Sequence, residues 1–271
     1  MLIPLLLVLC TCLPDEKPAP VDAARVKATV ETLDKAFGEK PGDRGTPEAR
    51  LAAIESAREV VDAAVIEALA RGLKRKDEPA VRSATVEALR TMRHPKAFEA
   101  LLDFAKQSTT QKDEKLYPSV LRAVASHGDK RAIPLLRDGA LGAAPYKVDE
   151  ARIYGLGNIR DADSVEALIG LMNTLGPHKI APFMNEISLA LSVLTGAEGQ
   201  RYEDWQRWWN DNKKKLEIAP QLPELPKGKL VKWHLYWGMG KDELKQKLGE
   251  KGGDKGDDKP DGEPKPPAKK G

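Results

Sequence analysis

Apolar residues recur at spacings of three and four along residues 77–106, which read DEPAVRSATVEALRTMRHPKAFEALLDFAK. That period places them on one face of an α-helix. His94 and Pro95 interrupt the pattern, so the stretch predicts two amphipathic helices joined by a turn. The apolar face of the first helix consists of Val81, Ala84, Ala88 and Leu89, and that of the second consists of Phe98, Leu101, Leu102 and Ala105.

The same helical pair returns along the chain, and four columns of equivalent positions stay apolar at shared offsets of 32, 35 and 32 residues. A repeat of this length is typical of stacked helical pairs, each of which buries its apolar face against its neighbours. In the first helices the columns are Ile54, Val86, Leu121 and Ile153, and Ala57, Leu89, Val124 and Leu156. In the second helices they are Ile66, Phe98, Ile133 and Val165, and Leu69, Leu101, Leu136 and Leu168.

Turn residues fall where this arrangement needs them. Thr46 and Pro47 are suited to begin a helix, Gly128 is suited to end one, and Gly176 with Pro177 ends another. A fifth pair is predicted over 181–195 and 200–214, and an earlier helix over 21–37. We therefore predict an all-α fold over residues 20–215: an α–α superhelix, in the form of a right-handed solenoid of about five helical pairs.

The stretch DEPAVRSATVEAL resembles the first helix of a HEAT repeat, and AFEALLDF and VEALIGLM resemble its second helix. The resemblance covers about residues 46–195 and implies a HEAT-like solenoid, a fold that serves many functions. It also implies one enzyme class, the HEAT-like phycobilin lyases, for which the chain has no supporting motif. The fourth pair departs from the pattern, because Gly155 and Gly157 lie inside its first helix; we expect that helix to be short or tightly packed.

Aromatic residues concentrate late in the chain, in YEDWQRWWNDN at 202–212. LTGAEGQRYEDWQRWW resembles the end of many bacterial HEAT-repeat proteins, in which a Trp-rich helix closes the array. We predict an amphipathic helix that caps the last repeat, because an open solenoid end would expose its apolar face. The alternative is a platform of exposed, coplanar rings that stacks on a sugar or a peptide. The cap residues are Tyr202, Trp205, Trp208 and Trp209.

A Pro-rich linker and an aromatic arm are predicted over 216–248, followed by a charged tail at 249–271 that we expect to be disordered. The arm, KLVKWHLYWGMG, alternates apolar and polar residues, which predicts an extended strand-like segment. It either packs on the last repeats or binds a partner. In the second case its contact residues are Trp233 and Trp237.

The N-terminal segment 1–19 resembles a secretory signal peptide with a short linker. Residues 2–13 form an apolar run that is too short for a membrane span, which needs about 20 residues. We therefore expect an exported protein, periplasmic or extracellular. Both cysteines, Cys10 and Cys12, lie in this run, and Cys12 is the better candidate for a lipid anchor that would hold the N-terminus at a membrane.

No motif in the sequence indicates catalysis. The four histidines are not spaced as metal ligands, and the chain has no HExxH, CxxC, phosphate-binding loop or nucleophile elbow. We therefore predict no catalytic residue, no metal and no cofactor. The formal net charge of +3 comes from interspersed charges of both signs. Nucleic-acid binding needs a concentrated basic surface, so we expect no nucleic-acid partner.

These features predict a non-catalytic scaffold or adaptor that binds another protein or a peptide along the groove formed by the second helices. A rigid, preformed groove lowers the entropic cost of ordering a ligand. The alternatives are a glycan-binding or cell-wall-binding module that uses the C-terminal aromatic residues, and a HEAT-like lyase or other enzyme without a recognised motif. The candidate contact residues on the second helices are Arg71, Lys74, Lys106, Arg137 and Asp138.

Overall fold

The computed structural model of the protein describes residues 22–38, 43–74 and 78–247. Within these ranges all regular secondary structure is helical, as the apolar spacing predicted for residues 20–215. The chain divides into two compact units, with the boundary between Pro223 and Glu224. The predicted signal peptide, Cys10, Cys12 and the charged tail lie outside the described residues. No helix in the described part of the chain is long and apolar enough to cross a membrane.

The first unit begins with helix α1 and continues with helical pairs. In chain order the helices are α1 (Ala23–Phe37), α2 (Pro47–Ala57), α3 (Ala63–Ala70), α4 (Pro79–Thr91), α5 (Pro95–Lys106), α6 (Ser108–Gln111) and α7 (Tyr117–Ser126). They continue with α8 (Ile133–Arg137), α9 (Tyr146–Asn158), α10 (Ala162–Ile180), α11 (Met184–Thr195) and α12 (Tyr202–Asn212). Short 3₁₀ turns follow α3 and precede α8 and α11.

Two layers of helices make up this unit. The first helices of the pairs, α2, α4, α7, α9 and α11, pack against one another in chain order. In the second layer α3 packs on α5, and α10 packs on both α8 and α12. Helix α1 covers α2 and α3 at the beginning of the array. This is the all-α solenoid that the repeated columns predicted.

The sixteen residues of the four apolar columns form the centre of the core. Each of them is at most 5% exposed, including the long side chain of Phe98 and the small one of Ala57. Repetition at a fixed offset therefore predicted burial correctly at every position, because equivalent residues of stacked pairs face the same interface.

The predicted turn residues also begin and end the helices. The Thr46 hydroxyl accepts a hydrogen bond from the backbone N–H of Ala49 at the start of α2. Gly128, with φ of 69°, follows α7 in the left-handed region that favours glycine. Gly176, with φ of 71°, interrupts α10 just before Pro177, so the regular part of that helix is 162–175.

Helix α9 is tightly packed rather than short. It spans thirteen residues, and a Cβ atom added at Gly155 would lie 3.0 Å from the Cβ of Ala125 and 3.0 Å from a methyl carbon of Leu136. Glycine at this position lets α9 approach α7 and α8 closely. Of the two expectations for this helix, close packing is confirmed and shortness is wrong.

The second unit contains helices α13 (Lys227–Tyr236) and α14 (Lys241–Lys247). The prediction of an extended arm is therefore wrong. Leu230, Trp233 and Trp237 are spaced by three and four, so the segment carries a helical period as well as a period of two. A helix pairs the backbone N–H groups within the segment itself, whereas an isolated extended arm leaves them unpaired. The Pro226 carbonyl accepts the first of these hydrogen bonds.

Candidate partner-binding groove

The predicted contact residues of the second helices lie near the C-terminal ends of these helices. Arg71 and Lys74 form the 3₁₀ turn after α3, Lys106 is the last residue of α5, and Arg137 is the last residue of α8. Only Arg137 and Asp138 line a common cavity; the other three do not contribute to it. Arg71 instead forms an ion pair with Asp34 of α1.

The cavity is a groove of about 850 Å³ between α8, the loop 138–141 and α10. It exists because α8 has only five residues, whereas the second helix of the preceding complete pair, α5, has twelve. The chain leaves the helical layer after Arg137, and the space beside α10 stays open. We call this cavity the α8–α10 groove.

Small residues of α10 keep this groove wide. Ala167 and Gly170 line it, together with Leu171 and, from α8, Pro134. Gly170 lies in the regular part of α10 and is exposed, and a Cβ atom added there would meet nothing within 4 Å. Glycine inside a helix costs roughly 1 kcal/mol relative to alanine. No packing contact explains Gly170, in contrast to Gly155, so its structural effect is to keep the groove open.

A buried ion pair on α9 holds the loop that forms one end of the groove. Asp149 is fully buried and Arg152 is 4% exposed, and their side chains are 3.1 Å apart. The Arg152 guanidinium donates hydrogen bonds to the backbone carbonyls of Leu136 and Arg137, each at 2.9 Å, and to that of Gly139. The other Asp149 oxygen accepts the N–H of Gly142 at 2.6 Å. These bonds fix the loop, because both charges would otherwise be buried without partners.

The pairing of Asp149 with Arg152 was not predicted from the sequence. A signal was present: Asp149 and Arg152 are separated by three residues and lie among Val148, Ala151 and Ile153, on a helix that follows a glycine-containing loop. Charges within a run of apolar residues at helical spacing indicate burial.

Ion pairs join α1 to the turn after α3, α3 to α5, and α5 to the turn before α8, and this series ends at the groove. A carboxylate of the earlier element meets a cation of the later one in three consecutive steps: Asp34 with Arg71, Glu67 with Lys96, and Glu99 with Arg131 at 3.4 Å. Within the described part of the chain no ion pair joins α8 to α10. The charged residues between these two helices line the groove instead: Lys130, Arg131, Arg137, Asp138, Asp163 and Glu166.

A family model of HEAT repeats matches residues 43–113. Residues 43–113 of this chain therefore contain HEAT repeats. The matched segment contains α2 to α6, and the later helical pairs continue the same two layers. HEAT repeats generally mediate contacts between proteins and are generally non-enzymatic scaffolds. No curated protein matches the chain.

At the end of the helical array, α12 packs against α10. Trp205 is fully buried, and its Nε1–H donates a hydrogen bond of 3.0 Å to the Ser188 hydroxyl of α11. Tyr202, Trp208 and Trp209 are half-buried, and the Tyr202 hydroxyl bonds Asn173 of α10 at 3.0 Å. The Trp205 and Trp208 rings meet edge to face, so they do not form a coplanar exposed platform. The role of these residues as a cap stays a prediction.

The two tryptophans of the second unit differ in their access to solvent. Trp233 is 4% exposed. Its role in partner binding stays a prediction. Trp237 is half-buried, with its ring 5.8 Å from that of Trp233 and 5.2 Å from that of Tyr236.

Two titratable groups of the helical array, His127 and Tyr146, have strongly shifted pKa values. Burial lowers the pKa of His127 to about 4, and its Nε2 lies 3.2 Å from the carbonyl oxygen of Leu89, so the neutral ring bridges α4 and the end of α7. Burial, with the nearby Glu186 carboxylate, raises the pKa of Tyr146 to about 12. Both shifts favour the neutral form at pH 7. Among the described residues, no group of three or more His, Cys, Asp and Glu side chains is placed to hold a metal ion.

Proposed function

We propose that this protein is a non-catalytic scaffold or adaptor, exported from the cytoplasm, which binds a protein or peptide along its second helices at the α8–α10 groove. The observation that carries this proposal is the groove itself. It has a volume of about 850 Å³, and one wall contains Gly170, a residue that lowers helix stability and that no close packing contact requires.

Two further features support a binding role. Pockets that hold ligands typically enclose about 300–1,000 Å³ and combine apolar walls with polar groups. The volume of this groove lies in that range, and its lining contains both apolar and polar residues. The loop beside it is fixed by Asp149 and Arg152, so the groove is preformed and a ligand does not need to order it.

Photo-crosslinking tests the groove directly. A photoreactive amino acid at Thr174, which is exposed and lines the groove, should crosslink a partner in cells of the native host. The same amino acid at Glu114, which is exposed outside the groove, provides the matched control. Gly170→Leu should abolish the crosslink from Thr174, whereas Gly170→Ala should preserve it. Equal crosslinking from both positions, or none from Thr174, would contradict the proposal.

Export is tested separately. The apolar run at 2–13 supports it, and cleavage of the signal peptide would give a mature chain that begins near residue 20. Mass spectrometry of the protein from fractionated cells should find this shorter chain in the envelope or the medium. A lipid at Cys12 would appear as an added acyl mass. Recovery of the uncleaved chain in the cytoplasm would refute the assignment of compartment.

A further inference from the structure

We propose that the α8–α10 groove binds an extended peptide segment in which acidic and basic side chains alternate. This inference rests on the proposed function and adds the chemistry of the ligand. It follows from the charges on the two walls of the groove and from the position of the three consecutive ion pairs, Asp34 with Arg71, Glu67 with Lys96, and Glu99 with Arg131. We call this series the ladder, and it ends at the groove.

In the ladder, exposed charges of successive elements pair with one another. At each of three consecutive steps a carboxylate on one element contacts a cation on the next, so the charges neutralise one another across the interface. At the groove the order of signs is reversed. The earlier element now carries the cations Lys130 and Arg137, and the later one, α10, carries the carboxylates Asp163 and Glu166.

These four side chains are exposed, and no ion pair within the described part of the chain engages them. The α8 side carries three lining cations and one carboxylate, but Arg131 is already paired with Asp129 and Glu99. The remaining cations, Lys130 and Arg137, and the carboxylate of Asp138 give this side a net charge of +1. The α10 side carries two carboxylates and no lining cation, a net charge of −2. The two walls therefore have opposite signs and are separated by open space.

An extended peptide matches this arrangement. Successive side chains of an extended backbone point in opposite directions, so neighbouring residues of the peptide face opposite walls. Acidic side chains would then meet Lys130 and Arg137, while the basic side chains between them would meet Asp163 and Glu166. The ligand would complete the interrupted ladder from both sides, and complementary charges of this kind give specificity and register.

Fluorescence anisotropy with two labelled peptides tests the inference on the full chain. One peptide alternates Asp and Lys, and the other has the same composition in two blocks, so length and net charge are equal. The wild-type protein should bind the alternating peptide about tenfold more tightly, with a preference that weakens as salt increases. Equal binding of the two peptides would overturn the inference.

Charge reversal of one wall provides the second measurement. Asp163→Lys with Glu166→Lys makes both walls positive, and the double variant should lose the preference for alternation and gain affinity for a labelled poly-Asp peptide. Asp103→Lys with Glu114→Lys changes the net charge by the same amount at exposed positions outside the groove, and it should retain the wild-type preference. Identical behaviour of the two double variants would refute the role of the groove walls.

The peptide test and the crosslinking test fail in different ways. If Thr174 crosslinks a partner and Gly170→Leu prevents it, but the alternating peptide is not preferred, then the groove binds a protein of different chemistry and only this inference is wrong. If Thr174 gives no specific crosslink, the proposed function itself is wrong.

Discussion

Replacement of Trp205 by alanine should be among the most damaging single changes at the end of the array. The indole is fully buried, and a Cβ atom added at Gly199 would lie 2.7 Å from it, so the surrounding chain is closely fitted around the ring. Truncation of a buried Trp to Ala costs about 3–5 kcal/mol. Loss of the Nε1–H donor adds about 1 kcal/mol by leaving the Ser188 hydroxyl without its partner.

Urea unfolding followed by far-UV circular dichroism measures this cost, because it does not depend on the tryptophan that is removed. We expect Trp205→Ala to lower the free energy of unfolding by about 4–6 kcal/mol. Trp208→Ala, at a half-buried position of the same helix, should cost about half as much. A double-mutant cycle with Trp205→Phe and Ser188→Ala should give a coupling of about 1 kcal/mol for the hydrogen bond.

The slope of the unfolding transition adds a further readout. If α12 closes the array, its loss should allow the last pair to open separately, and the transition should broaden with a lower m-value. A cost below about 1 kcal/mol for Trp205→Ala, or a cost equal to that of Trp208→Ala, would refute the reasoning that burial of this ring holds the last pair closed.

Three further predictions concern single positions in the array. Gly155→Ala should lower the free energy of unfolding by about 1–3 kcal/mol because of overpacking, while Gly170→Ala should raise it by up to about 1 kcal/mol; urea titration of both checks the contrast. The pKa of His127 is about 4 in the folded chain and 6.5 in the unfolded chain, so protonation of this ring favours unfolding. The free energy of unfolding should therefore fall by about 3 kcal/mol as the pH falls from 6.5 to 4. His127→Gln should flatten that part of the pH profile of unfolding, and an unchanged profile would contradict the assignment. Arg152→Met should cost about 3–5 kcal/mol by leaving the Asp149 carboxylate buried without its partner, and Asp149→Asn with Arg152→Met should recover part of this loss in the same assay.

The sequence by itself determined the repeat architecture. The columns that contain Ile54, Phe98 and Leu168 are buried because helical spacing selects a face and the fixed offset selects the same face in every pair. The turns at Thr46, Gly128 and Gly176 were predictable for a similar reason, since their effects on helix ends are local. Arg137 and Asp138 were selected as contact residues from the positions of the second helices alone.

Tertiary structure decided the features that depend on contacts between pairs. The α8–α10 groove results from the early end of α8. Gly170 faces the open groove, whereas Gly155 packs closely against its neighbours, and helical spacing alone does not distinguish these two positions. The pairing of Arg152 with the loop after α8 joins residues that a repeat pattern treats as unrelated. Segment 227–236 is a helix because apolar spacings of two and of three or four coexist in it, and internal pairing of the backbone favours the helix. A local pattern specifies which face of an element is apolar, but only packing determines the length of each element and the space left beside it.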